Sequence, residues 1–353
     1  MPDSKYKVFL VLVLGVVLVV GVFAFVASNV LFGAPQSGSA PLEQFTIPAT
    51  TEEDHERKIV DDAREVAELL EEGGFIKNTL GWRIAYAKAM GLGILPTRCV
   101  DCIQSGAYKI STSMSAWEVA EVFRRGPYLR WVVIPEGYRK EQIAELLAET
   151  FDWSDEEKKI WITTHTAMDF ENTEGVYFPD TYLIPTDEEP LKVAERLRAK
   201  FNEVFVPYAE EAFRQNIRWP TLLKVASIVQ REAAGKDDMP LIAGILRNRL
   251  LNDQRLEIDA TLQYIKGNKE NGWWPPVSPE DKELDSPYNT YRTSGLPPHP
   301  ISNPGIAAIE AVLFPEETDC FFYLHGADKK IHCAETYEGH KENIEIFLKN
   351  SHN

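Results

Sequence analysis

The chain has 353 residues, 44% of them hydrophobic and 26% charged, with a formal net charge of −17. Such a chain folds, and it is long enough for two modest domains. Its acidity excludes nucleic acid as a partner, because a phosphate backbone needs Lys and Arg. It also excludes tight electrostatic docking on anionic lipid, so a polymeric partner must be held by hydrogen bonds and aromatic stacking.

Residues 8–32, VFLVLVLGVVLVVGVFAFVASNVLF, carry no charge. About 20 apolar residues span a bilayer, whereas the apolar core of a secretory signal is roughly 7–15 residues. The stretch therefore predicts an uncleaved transmembrane helix. FGAPQSGSA, just after it, offers small residues to a signal peptidase, so cleavage stays open. Lys5 and Lys7 precede the span, and no Lys or Arg follows it until Arg57. The positive-inside bias then puts residues 1–7 in the cytoplasm and the rest beyond the cytoplasmic membrane. Residues 33–44 read as a Pro/Ser/Gly linker.

Short strands and helices alternate from residue 45 to about 130. FTI (45–47) reads as a strand. Residues 52–74 predict a helix with Ile59, Ala63, Val66, Leu69 and Leu70 on one side, stopped by Gly73 and Gly74. A second helix runs near Trp82 to Met90, and GAYKI (106–110) is a strand. Ser115 and Glu118 form a capping box for a helix that ends at Gly126. WVVIPEG (131–137) predicts a strand, and RKEQIAELLAE (139–149) a helix. This region carries no catalytic constellation, and its acids lie mostly on solvated helix faces.

The C-terminal third differs. In KVASIVQREAAG (224–235), a wheel at 100° per residue puts Leu222, Val225, Ala226, Ile228 and Val229 on an apolar face. Lys224, Ser227 and Arg231 fall on the polar face. Glu232 falls within the apolar stripe, about 160° away from Gln230. Leu241, Ile242, Ile245, Leu246 and Leu250 give a second amphipathic helix. Residues 286–305, SPYNTYRTSGLPPHPISNPG, carry too many prolines for regular structure and predict an ordered loop. Its Tyr288, Asn289, Thr290, Tyr291 and Asn303 suit sugar recognition: amides and hydroxyls match sugar hydroxyls, and rings match the apolar sugar face. The alternative is that they only pin the loop.

Cys99 and Cys102 form CVDC, while Cys320 and Cys333 lie symmetrically about Gly326 and Ala327, as if facing across a hairpin. An oxidising exterior favours disulfides. Free thiols, and a metal site completed by His325 and His332, remain as alternatives.

Together, ASIVQREA, RNRL, RLEIDATLQY, SPYNTYRTSGLPPHPISNPG and HCAETYEGHKENI resemble the YceG-like family of membrane-anchored endolytic murein transglycosylases. WVVIPEGYRKEQIAELL and EGVYFPDTY add to the likeness, which runs in order over residues 45–350. The resemblance implies an α+β architecture: one transmembrane helix, a small LysM-like βααβ domain (45–130), and a mixed α+β, lysozyme-like catalytic domain (131–350) with its core at about 215–350. It implies peptidoglycan glycan strands as substrate. The bond between N-acetylmuramic acid and N-acetylglucosamine would be cut by one glutamate, leaving a 1,6-anhydro end.

The carried-over glutamate is Glu232. A partly buried carboxyl has a raised pKa, which serves an acid that must then act as a base. An intramolecular nucleophile removes the need for a second carboxylate. Many members carry two acids in this stretch, and Gln230 stands at the first. If that first acid were the catalytic one, the chain would be a noncatalytic peptidoglycan-binding envelope protein.

With less force the resemblance implies glycan contacts at Asp259, Tyr288, Asn289, Tyr291 and Asn303, and bracing of helices by Asn248 and Arg249. Trp273, Trp274, His332 and His340 are expected either to touch substrate or to pack. No cofactor is expected. Cell-wall synthesis or division proteins are expected partners.

Overall fold

The computed structural model describes residues 3–48, 63–92, 103–166 and 174–349. The chain divides into two units, Met1–Trp131 with Leu183–Asp187, and Val132–Tyr182 with Glu188–Asn353. Cys99 and Cys102, with Ile59 of the first expected helix, lie outside the described residues.

The first unit begins with helix α1 (Asp3–Phe32). Its residues Phe9–Phe32 have a mean hydropathy of 3.2 and are long and apolar enough to cross a membrane. Large apolar side chains are exposed all along it, Phe9, Leu18 and Phe25 among them. A helix apolar all round needs either a protein core or lipid around it.

Strand β1 (Glu43–Ile47) pairs antiparallel with β2 (Gly106–Ile110), Phe45 opposite Tyr108. Between them in sequence come α2 (Ala63–Glu72) and α3 (Thr79–Ala89). Ala63, Val66, Ala67 and Leu70 form the buried stripe of α2, at the i, i+3, i+4, i+7 spacing of one helix face. Leu69, expected to be buried with them, falls beside that stripe and is 38% exposed. Trp82 stacks on Tyr86, and Tyr108 stacks on Phe123 of α4 (Ala116–Arg125). These rings, with Val66, Leu70 and Val119, make the core of this unit.

Helix α4 starts on the capping box. Ser115 Oγ accepts from Glu118 N at 3.3 Å, and Glu118 Oε2 accepts from Ser115 N at 2.7 Å. Strand β3 (Leu129–Val133) begins two residues before its expected start and stops short of Pro135, which has no N–H to donate. Gly106, at φ +144°, lets β2 and β3 meet, since a Cβ there would strike the Leu129 carbonyl. The four-stranded sheet runs β1-β2-β3-β4, with β4 at Thr181–Pro185. The chain leaves this unit along β3 and contributes Leu183–Asp187 to it through β4, residues that the sequence reading gave to the second domain.

The second unit is mostly helical: α5 (Lys140–Phe151), α6 (Asp155–Ile160), α7 (Pro190–Arg214), α8 (Trp219–Glu232), α9 (Met239–Leu251), α10 (Asp259–Lys266), α11 (Ile306–Leu313) and α12 (Tyr337–Ile344). A hairpin of β5 (Phe322–His325) and β6 (Ile331–Ala334) precedes α12. Helix α8 is central, packed by α7, α9, α10 and α11. Surrounded in this way, it buries Ser227 as well as Leu222, Leu223, Val225, Ala226, Ile228 and Val229.

Replacing Ser115 by Ala removes the acceptor for Glu118 N. The variant should lose about 1 kcal/mol of stability in the first unit, read as an earlier denaturation midpoint with unchanged helix content.

Candidate active site

Glu232 is the last residue of α8, followed by the extended Ala233. Its Oε2 accepts a 2.6 Å hydrogen bond from the Tyr323 hydroxyl, and its Oε1 a longer one, 3.4 Å, from Ala260 N. Burial pushes the carboxyl above the usual glutamate range. The Tyr323 and Ala260 donors pull it part of the way back, the Asp259 charge pushes it up, and His325 lowers it. Burial and the Glu232 charge hold the Tyr323 phenol far above its ordinary pKa, so it stays a donor.

The carboxyl opens on a cleft of about 1050 Å³, lined by Asp259, Tyr291, Phe322, Tyr337 and His340 among others. Two segments and the hairpin place these groups. Asp259 opens α10, and its Oδ1 accepts from Tyr291 OH at 2.7 Å. Thr290 Oγ1 accepts from Ile258 N at 2.9 Å and lies 3.0 Å from Thr261 Oγ1.

The hairpin carries Tyr323 and is closed by a disulfide between Cys320 and Cys333, Cα atoms 5.9 Å apart. That bond engages both thiols of the pair. Arg249, 7% exposed, joins hairpin and segment. Its Nε donates to Phe321 O at 2.6 Å, and a terminal nitrogen donates to Leu256 O at 2.7 Å and Arg255 O at 3.1 Å. Asn248 Nδ2 donates to Thr318 O and Cys320 O. Expected to brace helices, these two residues of α9 instead hold the irregular segment that leads into the hairpin.

A family model described as YceG-like matches residues 59–346. The chain belongs to the YceG-like family. It is 27% identical over 305 residues to a Bacillus subtilis protein named endolytic murein transglycosylase, covering 80% of this chain and 81% of that protein. It is 26% identical over 317 residues to a Streptococcus pneumoniae protein of the same name, covering 80% of this chain. The chain spans only 56% of the length of that second relative. A crystal structure of a YceG-like protein from Listeria monocytogenes superposes with a TM-score of 0.54 at 25% identity, covering 86% of this chain and 99% of the other.

In this YceG-like chain the expected glycan-binding residues divide into two groups. Asp259 and Tyr291 line the cleft beside Glu232. Asn289, Thr290 and Asn303 are buried and do not line it, which corrects the expectation that they touch glycan. Asn289 Nδ2 donates to the carbonyls of Lys282 and Leu284, and its Oδ1 accepts from Tyr291 N. Asn303 accepts from Tyr177 N and donates to Tyr138 O and Glu174 Oε1. The polar groups of the loop are thus engaged with backbone that would otherwise be buried unpaired. Tyr288 packs on Tyr264, ring centres 5.0 Å apart, outside the cleft.

Ser227 and Gln230 take the same part. Ser227 Oγ accepts from Ile301 N, and Gln230 Oε1 accepts from Gly305 N at the start of α11. Trp274 lies under Arg231 at 3.9 Å, and Trp273 donates to Glu145. His332 stacks on Phe347, while His340 lines the cleft.

Sequence reasoning missed Tyr323 and Glu174. Tyr323 is an aromatic between two cysteines, register-paired with Cys333, and that spacing was its one visible signal. Glu174 is buried and accepts from Lys140 N and Asn303 Nδ2, and burial, reinforced by Glu141, raises its carboxyl to about 8. The next residue, Gly175, needs its φ of +89° and its missing Cβ, because Pro300 packs against it.

Asn303→Ala would strand Tyr177 N and weaken the hold on Glu174. A loss of about 2–4 kcal/mol in the second unit is expected, seen as a lower denaturation midpoint. A glycan contact alone would leave that midpoint unchanged.

Proposed function

We propose that the chain is an endolytic peptidoglycan lytic transglycosylase. It cleaves the bond from N-acetylmuramic acid to N-acetylglucosamine within a strand and leaves a 1,6-anhydro muramic acid end. The observation that carries this is the half-buried Glu232 carboxyl, raised by desolvation and facing an open cleft on a tyrosine donor. The named relatives support the substrate class.

Protonated Glu232 donates to the glycosidic oxygen as the C1–O4 bond breaks. Oε2 is engaged by Tyr323, so Oε1, with only the 3.4 Å contact from Ala260, carries the transferred proton. The resulting carboxylate is steadied by the Tyr323 hydroxyl. It then takes the proton of the muramic acid 6-hydroxyl while O6 bonds to C1. One group serves both steps because its pKa lies nearer neutrality than that of a solvated glutamate. Asp259, bonded to Tyr291, supplies negative charge near the electron-poor C1.

The same reading takes residues 1–7 as cytoplasmic, α1 as the anchor in the cytoplasmic membrane, and the lysozyme-like catalytic unit as extracytoplasmic, acting on nascent strands. The order β1-α2-α3-β2 with antiparallel outer strands supports a LysM-like module in the first unit. On this reading the chain's protein partners are wall synthesis or division proteins. The noncatalytic alternative rested on Gln230, which bonds Gly305 N and does not line the cleft.

Glu232→Gln should fold and lose cleavage by about 10²–10⁴-fold. Digestion by the parent chain in ¹⁸O-water should give anhydro ends without label. Label at the new muramic acid end would mean hydrolysis and would overturn the reading, as would full activity in the variant.

Tyr323→Phe should slow cleavage roughly 10–100-fold. Tyr323 favours the ionised form of Glu232, so its loss raises that pKa further. The alkaline limb of the pH–rate profile, where Glu232 loses the proton it must donate, should therefore move to higher pH.

A further inference from the structure

Six charged side chains line the cleft: Glu232, Glu257, Asp259, Arg249, Arg255 and Lys282. Four of them are accounted for. Burial favours the neutral acid at Glu232. Asp259 is held by Tyr291 OH. Glu257 lies 3.5 Å from Arg249, whose guanidinium is otherwise spent on backbone carbonyls.

Arg255 and Lys282 are different. Both are exposed, and among the described residues neither has a carboxylate partner. Both are fixed on the same residue: Arg255 donates to the Tyr291 carbonyl at 3.2 Å, and Lys282 Nζ sits 4.4 Å from the centre of the Tyr291 ring. Tyr291 in turn reaches Asp259, next to the Ala260 N–H that touches Glu232. The two cations are therefore tied through Tyr291 to Asp259, in a cleft that Glu232 also lines and in a chain whose net charge is −17. A neutral glycan offers such a pair hydroxyl acceptors but no charge to match. A carboxylate offers both, and charge-assisted hydrogen bonds to Arg and Lys are the stronger kind.

We propose that Arg255 and Lys282 form a carboxylate subsite that engages the acidic arm on O3 of the muramic acid. This rests on the transglycosylase reading, which puts a muramic acid at Glu232. The arm ends either in its own lactyl carboxylate or in a stem peptide that carries carboxylates. The subsite makes the enzyme select acidic strands over neutral N-acetylglucosamine polymers.

The test uses the full chain in detergent, bearing Glu232→Gln so that binding is read without turnover, with and without Arg255→Gln and Lys282→Gln. Three muropeptide strands are compared: peptide-bearing, amidase-stripped to the lactyl carboxylate, and peptide-bearing with all carboxylates converted to methylamides. The double substitution should weaken binding of peptide-bearing strands, stripped strands or both about tenfold and leave the methylamide strands unaffected. Arg255→Lys with Lys282→Arg should restore most of the loss, which a folding defect would not allow.

The stem peptide is joined through the lactyl carboxyl, which is then an amide, so a loss confined to stripped strands identifies the lactyl carboxylate as partner. A loss confined to peptide-bearing strands identifies the stem peptide, and a loss on both means that either carboxylate is accepted. Equal binding of charged strands by parent and double variant would overturn the subsite, as would an equal loss on methylamide strands. Failure of the Glu232 parent chain to cleave any strand would sink the transglycosylase reading and leave the binding comparison intact.

Discussion

A buried guanidinium governs the geometry of the site. Arg249 is a charge 7% exposed, and a charge so placed must have its N–H groups satisfied. It finds acceptors on two stretches of chain, Phe321 on one side and Arg255 and Leu256 on the other. The first stretch leads into the hairpin with Tyr323, the second into α10 with Asp259. One side chain thus fixes the spacing between the donor to Glu232 and the neighbouring acid. The Cys320–Cys333 bond closes the open end of the hairpin, and Asn248 ties down the segment before it. Truncating Arg249 would leave three carbonyls without this donor and free both stretches to move.

The 286–305 loop solves a second problem. A segment so rich in proline makes few backbone hydrogen bonds of its own, so side chains must pair the polar groups around it. Asn289, Thr290 and Asn303 do this by reaching out of the loop to Leu284, Ile258 and Tyr177, while Ser227 and Gln230 of α8 reach into it. The loop thereby locks α8 and its terminal Glu232 against α10 and leaves Tyr291 as its contribution to the cleft. Rigidity of this kind suits general acid chemistry, in which the proton must be delivered at one position.

Placing the acid at the last residue of α8 is also consequential. The apolar neighbours on α8 desolvate the carboxyl, while the extended chain after it leaves one side open to the cleft. Mid-helix, the same residue would be walled in by α9, α10 or α11. On a loop it would be solvated and fully acidic.

Local patterns were legible in the sequence because their physics is local. The apolar span of α1 follows from length and hydropathy, the start of α4 from a four-residue box, and the α8 stripe with Glu232 from a wheel. The hairpin was visible in the symmetric spacing of Cys320 and Cys333 about a glycine. What the loop's polar residues do was not legible. Asn289 and Asn303 have the same chemistry whether they face a sugar hydroxyl or a buried carbonyl, and only burial decides between the two. The partner of Glu232 lay hidden for a related reason: Tyr323 is 91 residues away in the chain, and no periodicity relates a helix end to a hairpin. The sequence by itself determined which residue types were present and which helical faces were apolar. The tertiary structure alone decided which polar groups were consumed in holding the fold and which remained to act, because that depends on what meets across long loops.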